Sequence, residues 1–132
     1  MGEAADVVRL ATERLNDRDV DGFIELCSKR IRFQDVPEIP GSRLYQGPDE
    51  VRQWAEGILE VSDDVKFGLW DKEEGGDDAV MFDTSVDMTG ASSGAEVGWR
   101  SWTVWRVKDG KIVYHHGYSE REDALADLGG GG

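Results

Sequence analysis

Hydrophobic residues recur at helical spacing in three segments of the first half of the chain. Residues 4–16 carry small and apolar side chains at i, i+3, i+4 and i+7, which predicts a helix with one buried stripe. A shorter helix follows, with Asp19 or Asp21 as its capping residue. Residues 47–59 open with Gly-Pro-Asp-Glu, which suits the first turn of a helix, and repeat the buried stripe. The pattern therefore predicts three amphipathic helices.

Other segments alternate apolar and polar residues, which is typical of β-strands. A short strand over residues 31–35 runs into an irregular loop at residues 36–41, where two prolines and a glycine interrupt regular structure. Residues 65–70 and 80–88 form the next two strands, and a Gly/Ser-rich connection at residues 89–95 leads to the last two. Helices followed by a run of strands predict an α+β fold.

The most aromatic stretch, residues 97–119, predicts a β-hairpin closed by an Asp-Gly turn. His115 and His116 are neighbours on its second strand, so their side chains face opposite sides of the sheet. A three-residue loop would pair Thr103 with His115, whereas a two-residue loop would pair Thr103 with His116. The turn sequence alone leaves both registers open.

The chain beyond Ser119 is acidic, and we expect it to fray, with Leu125 and Leu128 packing back on the domain. With 132 residues in all, the chain is long enough for one domain with a real core. We assign residues 1–128 to this domain. The glycines at 129–132 cannot form a core, and we interpret them as a linker or an addition made for expression.

Charge excludes several classes of partner. The formal net charge of −13 argues against nucleic acid and against anionic membrane surfaces, because both are bound by Lys and Arg. No run is long and apolar enough to cross a membrane, and the N-terminus lacks the layout of a signal peptide. The single cysteine, Cys27, cannot form an internal disulfide, and we place it on the apolar side of the second helix. We expect a cytoplasmic protein.

A metal centre or other cofactor is not expected. The two adjacent histidines diverge on a strand and cannot chelate one ion together, and the sequence shows no second cluster of metal ligands.

Three segments of the chain together carry a resemblance to a known family: RLNDRDVDGFIEL, IRFQDVPEIPGSRLYQGPDEVRQWAEGIL and WTVWRVKDGKIVYHHGY. In this order they resemble the nuclear transport factor 2-like superfamily, in its SnoaL-like polyketide cyclase and ketosteroid isomerase-like branch. The likeness covers about residues 4–120. It implies a cone-shaped, curved antiparallel sheet that wraps around three N-terminal helices and encloses a pocket. It also implies a homodimer through the outer sheet face.

The family's catalytic residues are only partly present. The resemblance places Asp35 at the general base of the isomerases, but Ala11 and Thr103 stand where those enzymes have a Tyr and an Asp as oxyanion donors. His115 matches a cavity histidine of the cyclases, whereas Gly117 replaces their catalytic Asp. Neither catalytic set is complete, so neither activity transfers directly.

Asp35 and His115 are our catalytic candidates. Asp35 stands at a strand end before a loop, where it is either a turn carboxylate or a general base whose pKa an apolar cavity raises. The resemblance favours the three-residue loop and hence His115 over His116 as the histidine in the pocket. The remaining pocket-lining candidates are Thr103, Ser101, Trp54, Trp99, Trp105, Phe82 and Gly117.

We weigh three hypotheses for function. The first is proton transfer, of the isomerase or cyclase type, on an apolar oxygenated small molecule, with Asp35 as base, His115 as acid or donor and the Thr103 hydroxyl assisting. The second is a non-catalytic ligand-binding domain of the same fold. The third is a dimerisation or protein-interaction module, for which Trp102 and Arg106 on the opposite strand face would suit an interface.

Overall fold

The second helix begins where the sequence supplies a capping group. The structure, a computed structural model, describes residues 3–36, 42–61, 63–89 and 96–130. Asp19 caps the second helix, because its carboxylate accepts a hydrogen bond from the Gly22 N–H at 2.9 Å. The helices are α1 (Glu3–Asn16), α2 (Val20–Glu25), α3 (Gly47–Glu60) and α4 (Arg121–Gly130).

Six strands form one curved, open sheet. They are β1 (Cys27–Gln34), β2 (Leu44–Gln46), β3 (Lys66–Glu74), β4 (Ala79–Thr89), β5 (Glu96–Lys108) and β6 (Lys111–Tyr118). Their spatial order is β2-β1-β6-β5-β4-β3, and neighbours are antiparallel except β1 and β6, which are parallel. The predicted α+β class is confirmed, with one parallel pair in a sheet that we expected to be antiparallel throughout.

The main core lies between the inner sheet face and the first three helices. The stripe predicted on α1 is buried here, as is that of α3. No helix in the described part of the chain is both long enough and apolar enough to cross a membrane. Fully buried side chains include Val8, Phe23, Phe33, Val51 and Phe82.

The turn of the β5–β6 hairpin has two residues. Asp109 and Gly110 both have positive φ, at 53° and 75°, which is the geometry of a primed turn that matches the twist of the strands. Lys108 therefore pairs with Lys111. The three-residue loop favoured above is wrong.

A β-bulge then changes the register. Val113 is an extra residue on β6, so the pairing shifts by one position beyond it. Trp105 stands opposite His115, and Thr103 stands opposite Gly117. Neither register proposed from the turn alone is correct. The bulge reverses the alternation of β6, and for that reason His115 still faces inward.

Strand β1 and strand β2 were the least well predicted elements. Strand β1 starts at Cys27, four residues before the predicted strand, so Cys27 belongs to a strand rather than to the second helix. Strand β2, at residues 44–46, pairs with the end of β1 and was not predicted. The predicted loop residues 37–41 and connection residues 90–95 lie outside the described part of the chain.

The acidic tail forms helix α4 instead of fraying. Ala124 and Leu128 pack against Ala79, Met81 and Val104 on the outer sheet face. The helix includes two of the four terminal glycines.

Helix α4 covers part of the face predicted to form a dimer. Val104 is completely buried, and the Arg106 guanidinium donates to the Asp127 carbonyl oxygen at 2.7 Å. Trp102 and Arg106, the two residues considered for that interface, are both half-buried.

Candidate functional site

An inner cavity and a wider vestibule lie end to end between the helices and the sheet. The inner cavity has a volume of about 50 Å³, and the vestibule has about 520 Å³. The walls of both include Asp35, Trp54, Ile58 and Trp99, so these four side chains lie at the boundary of the two spaces, called the passage below.

Asp35 presents a carboxylate at this passage, just beyond the end of β1. Its Oδ1 accepts the Val36 N–H at 2.8 Å, and its Oδ2 accepts the Trp54 Nε1–H at 2.8 Å. Burial raises the pKa of Asp35, and the two hydrogen bonds offset only part of this effect. The carboxylate that caps the turn at Val36 thus also lines the cavity.

His115 lines the inner cavity from β6. Its ring stacks on Phe33, with centroids 3.9 Å apart, and meets Trp105 edge-on at 4.4 Å. Burial lowers the pKa of His115 to about 3, so the imidazole is neutral at neutral pH. Its buried Nδ1 has no hydrogen-bond partner of good geometry, and an interaction of the ring with the Gln34 backbone offsets only part of the effect of burial on the pKa.

Hydroxyl groups supply most of the remaining polarity. The Thr84 and Thr103 hydroxyl oxygens are 2.7 Å apart, and the Trp105 indole N–H donates to Thr103 Oγ1 at 2.8 Å. Ser101 is also buried at the cavity wall. The residues described around the cavity and vestibule include no Lys or Arg.

Most of the residues selected from the sequence meet in one place. Phe82 and Gly117 do not line the cavity: Phe82 is fully buried in the core, and Gly117 packs so tightly on Val36 that a Cβ would lie 2.6 Å from its Cγ2. The selected residues that do line the cavity are Asp35, Trp54, Trp99, Ser101, Thr103, Trp105 and His115.

Sequence reasoning missed two polar cavity residues. Helix α1 contributes Thr12 to the cavity wall, whereas Ala11 beside it is buried in the core. Thr84 alternates with Phe82 in the strand predicted over residues 80–88, so the two share a strand face, but Thr84 was not selected. Threonine in an otherwise apolar stripe was the available signal for both.

The described residues contain no group of three or more His, Cys, Asp or Glu side chains that could hold a metal ion.

Cys27, which is buried, has a pKa raised to about 12 by burial, so its thiol is not a nucleophile near neutral pH.

Solved structures with the same fold define the class of protein. A Mycobacterium tuberculosis protein, RV0760c, in complex with estradiol-17β-hemisuccinate, has a TM-score of 0.78 at 12% identity, over 92% of this chain and 97% of that chain. A protein of ketosteroid isomerase-like fold from Catenulispora acidiphila, in complex with trimethylamine, has a TM-score of 0.75 at 13% identity, over 96% and 94%.

A third similar structure is SalBIII, an epoxide hydrolase/cyclase-like enzyme of pyran ring formation in salinomycin. It has a TM-score of 0.73 at 16% identity, over 90% of this chain and 92% of that chain. These likenesses establish the nuclear transport factor 2-like fold, as the sequence resemblance predicted.

The family follows from the sequence match. Residues 7–115 match the SnoaL-like domain, and the chain belongs to this family. The predicted resemblance is confirmed. A comparison with curated protein sequences found no match.

Proposed function

We propose that this protein binds a small apolar molecule that carries a carbonyl group, and that Asp35 exchanges a proton with it. One observation carries the proposal: the Asp35 carboxylate lies at the passage between the two spaces, with two neutral N–H donors and no cation among the lining residues described. A ligand that spans cavity and vestibule must pass this carboxylate.

The electrostatics suit a general base. A carboxylate works best as a base when its pKa approaches the working pH, and burial moves the pKa of Asp35 in that direction. In the proposed step, Asp35 takes a proton from the carbon beside the carbonyl, and the C–H bonding pair moves towards the carbonyl oxygen. The carboxylic acid then returns a proton to the ligand.

His115 has a different part in this proposal from the one first considered. Because burial lowers the pKa of His115 to about 3, it cannot serve as a charged acid at neutral pH. It acts as a neutral hydrogen-bonding group beside the Thr103 hydroxyl.

Similar structures support a small-molecule ligand. Two of those described above are complexes with estradiol-17β-hemisuccinate and with trimethylamine, and SalBIII is described as an epoxide hydrolase/cyclase-like enzyme. They support a ligand in this cavity on the ground of fold, and the residues named here supply the chemistry.

Deuterium exchange tests the proposal without the natural substrate. The probe is 2-tetralone, an apolar bicyclic ketone with exchangeable C–H bonds beside its carbonyl, followed by proton NMR in D₂O. We expect the protein to accelerate exchange, and we expect Asp35→Asn to lose about 100-fold or more of that acceleration.

Asp17→Asn is the matched control, because Asp17 is exposed and is not among the described residues of the cavity walls. It should exchange at the wild-type rate. If wild-type protein binds 2-tetralone by tryptophan fluorescence and does not accelerate exchange, proton transfer to Asp35 is the wrong function.

A specific observation favours ligand binding without catalysis as the second candidate. The inner cavity offers Thr12, Ser101 and Thr103 hydroxyls but no Tyr, Lys or Arg among its described residues. An enolate formed by Asp35 would therefore lack the strong donors that stabilise such charge. Binding of 2-tetralone without exchange is the result this candidate expects.

We also propose a homodimer through the part of the outer sheet face that α4 leaves open. Trp70 is 57% exposed there, and the Arg100 guanidinium lies 5.5 Å from its ring centroid. Sedimentation velocity should show a dimer that Trp70→Gln dissociates and that Leu10→Gln, on the exposed side of α1, leaves intact. A monomer at every concentration would refute this assembly.

A further inference from the structure

Asp35 carries a half-buried carboxylate for which the described part of the chain supplies no cation. Its two oxygens accept the N–H groups of Val36 and Trp54, which are neutral, and no ion pair found among the described residues includes it. A carboxylate has about four acceptor positions, so about two of those of Asp35 stay open. Charged groups inside proteins are normally paired, and a positively charged ligand would complete the pairing here.

The Asp35 carboxylate is within reach of a ligand. Asp35 is half-buried rather than enclosed, and it belongs to the walls of both the inner cavity and the vestibule. The vestibule, at about 520 Å³, falls within the range of volumes that hold drug-sized molecules. A ligand in the vestibule therefore meets Asp35 without entering the inner cavity.

Aromatic side chains lie at the same position. Trp54 and Trp99 belong to the passage together with Asp35, Tyr45 lines the vestibule, and all three rings are partly exposed. The faces of aromatic rings carry negative charge and attract organic cations. A carboxylate beside two indole rings thus favours an organic ammonium group over a hard metal ion, which requires several oxygen ligands.

The charges around the vestibule are compatible with a cation. No Lys or Arg is among the wall residues described, and His115 in the inner cavity is neutral near neutral pH because burial lowers its pKa. The Arg43 guanidinium lies 4.1 Å from the Tyr45 ring centroid, but Glu50 pairs with it at 3.1 Å. The formal net charge of −13 attracts cations to the protein. An ammonium group is therefore attracted to the vestibule and meets no unpaired cation in the walls described.

The number of open acceptors narrows the kind of ammonium group. Asp35 is the only acceptor among the four side chains of the passage, because Trp54 and Trp99 are donors and Ile58 is apolar. A primary ammonium group brings three N–H donors, most of which would lose their hydration without a partner. A protonated tertiary amine brings a single N–H, and its three carbon substituents suit the aromatic rings.

We infer that the passage binds a protonated tertiary amine, whose N–H donates to the Asp35 carboxylate and whose carbon substituents pack on Trp54 and Trp99. The inference goes beyond the proposed function and does not rest on it, because it requires the charge of Asp35 and no proton transfer from carbon. Both ligands would use one carboxylate, so an amine and a ketone compete for the passage.

Two probes of the same shape test the inference. N,N-dimethylbenzylamine is protonated near neutral pH, and isobutylbenzene has a neutral C–H group in place of its charged N–H. Affinity for each is measured by tryptophan fluorescence near neutral pH. We expect the amine to bind at least about tenfold more tightly, because only its N–H forms a charge-assisted hydrogen bond.

Asp35→Asn should abolish the preference for the amine, since it replaces the carboxylate by a neutral amide of the same shape. Asp17→Asn is again the matched control, because it removes the same charge from an exposed position outside the cavity walls described, and it should retain the preference.

The pKa of Asp35 provides a second measurement, on the wild-type protein. A bound cation favours the ionised carboxyl, so the amine should lower the pKa of Asp35 in a ¹³C NMR titration of labelled aspartate. A tenfold preference of the amine for the ionised form corresponds to a fall of about one pKa unit. Isobutylbenzene should not lower this pKa, because it excludes water and brings no charge.

The outcomes separate the ammonium site from the proposed function. Equal affinity for the two probes, a preference that survives in Asp35→Asn, or an unchanged pKa of Asp35 in the amine complex overturns the ammonium site. Failure of both probes to bind refutes it as well. The exchange of 2-tetralone stays an independent test, and its absence in wild-type protein with the amine preference intact refutes only the role of Asp35 as a base. Where both activities are present, the amine should inhibit the exchange.

Discussion

A half-buried aspartate lies on each face of the sheet, and the pKa values of the two carboxylates are shifted in opposite directions. On the outer face, Asp127 of α4 accepts hydrogen bonds from Tyr114 at 2.5 Å and Tyr118 at 2.8 Å, and Arg106 lies 3.2 Å from its Oδ1. Burial raises the pKa of Asp127, but these three donors outweigh it and the net pKa is lowered. On the inner face, burial prevails and the pKa of Asp35 is raised.

This difference separates a structural carboxylate from a candidate functional one. Asp127 has a cation and two hydroxyl donors, so its charge stabilises the position of α4 on the sheet. Asp35 has only neutral donors and faces open space, so its charge is held at a cost that packing elsewhere must offset. The same residue type thus has a cation and hydroxyl donors on one face, and two N–H donors without a cation on the other.

The strongest way to sharpen the comparison is the same substitution on both faces. Asp127→Asn leaves the Arg106 guanidinium, whose side chain is only 18% exposed, without its anion. We expect a loss of about 3 kcal/mol in the free energy of unfolding. Asp35→Asn removes a poorly solvated charge, which offsets the loss of one of the two accepted hydrogen bonds, so we expect a change below about 1 kcal/mol. Urea denaturation measures both.

The pH dependence of the free energy of unfolding is a further control. A carboxyl whose folded pKa is lowered contributes stability above its unfolded pKa, and that stability is lost as the pH falls. Asp127→Asn should therefore remove part of the acid sensitivity of the wild type. Equal losses of stability in the two aspartate variants would contradict the distinction drawn here.

A tight contact beside the inner carboxylate gives the next largest effect. In Gly117→Ala, the added Cβ would lie 2.6 Å from Val36 Cγ2 and 3.2 Å from the Val36 nitrogen, which donates to Asp35. We expect a loss of about 2 kcal/mol in the free energy of unfolding, measured by urea denaturation. Gly57→Ala is the matched control, because nothing lies within 4 Å of its Cβ and α3 should gain up to about 1 kcal/mol. Equal stability of the two variants would show that the contact at Gly117 relaxes freely.

The buried histidine His115 extends the comparison to the pH dependence of stability. The folded protein keeps His115 neutral down to about 3 because burial lowers its pKa, whereas the unfolded chain binds a proton near pH 6.5. The unfolded state therefore holds more protons in this range, and stability falls as the pH drops. The contribution of His115 is about 1 kcal/mol for the first pH unit below 6.5.

Denaturation of His115→Phe and of wild-type protein at the two ends of that pH interval measures this contribution. The variant should lose less stability than the wild type on acidification. An identical acid response in the two proteins would mean that His115 is protonated in the folded state.

The smallest expected effect concerns the donor that holds Asp35. Trp54→Phe removes the indole N–H that lowers the pKa of Asp35, so this pKa should rise further. A ¹³C NMR titration of labelled aspartate carboxyl groups measures it. Trp99→Phe changes the other tryptophan of the passage and should leave the pKa of Asp35 unchanged. A fall in the pKa of Asp35 in the Trp54 variant would show that burial does not dominate.

Local chemistry predicted the elements whose signals are themselves local. The buried stripes of α1 and α3 and the cap at Asp19 follow from spacing and side-chain hydrogen bonds within a few residues. Most of the cavity residues were found in the same way, because alternation on β5 puts Trp99, Ser101, Thr103 and Trp105 on one face. Family resemblance added Asp35 and His115, which periodicity alone does not distinguish from other strand residues.

Features that depend on distant parts of the chain were the ones that the sequence did not reveal. The bulge at Val113 shifts the register of β6 against β5 by one residue. On its other side β6 pairs with β1, where Phe33 stands opposite His115. Helix α4 has little hydrophobic patterning of its own, and its place depends on the bonds of Asp127 to Tyr114, Tyr118 and Arg106. No short window of sequence contains both partners of these contacts.

The sequence by itself thus determined the three N-terminal helices, the α+β class and the face that carries the cavity residues of β5. Those features depend on periodicity and capping, which act over a few residues. Only the tertiary structure decided that His115 faces inward through a bulge, that α4 covers part of the outer face, and that Asp35 and Asp127 have opposite shifts in pKa. A pKa depends on burial and on which charges lie nearby, and folding alone brings those groups together.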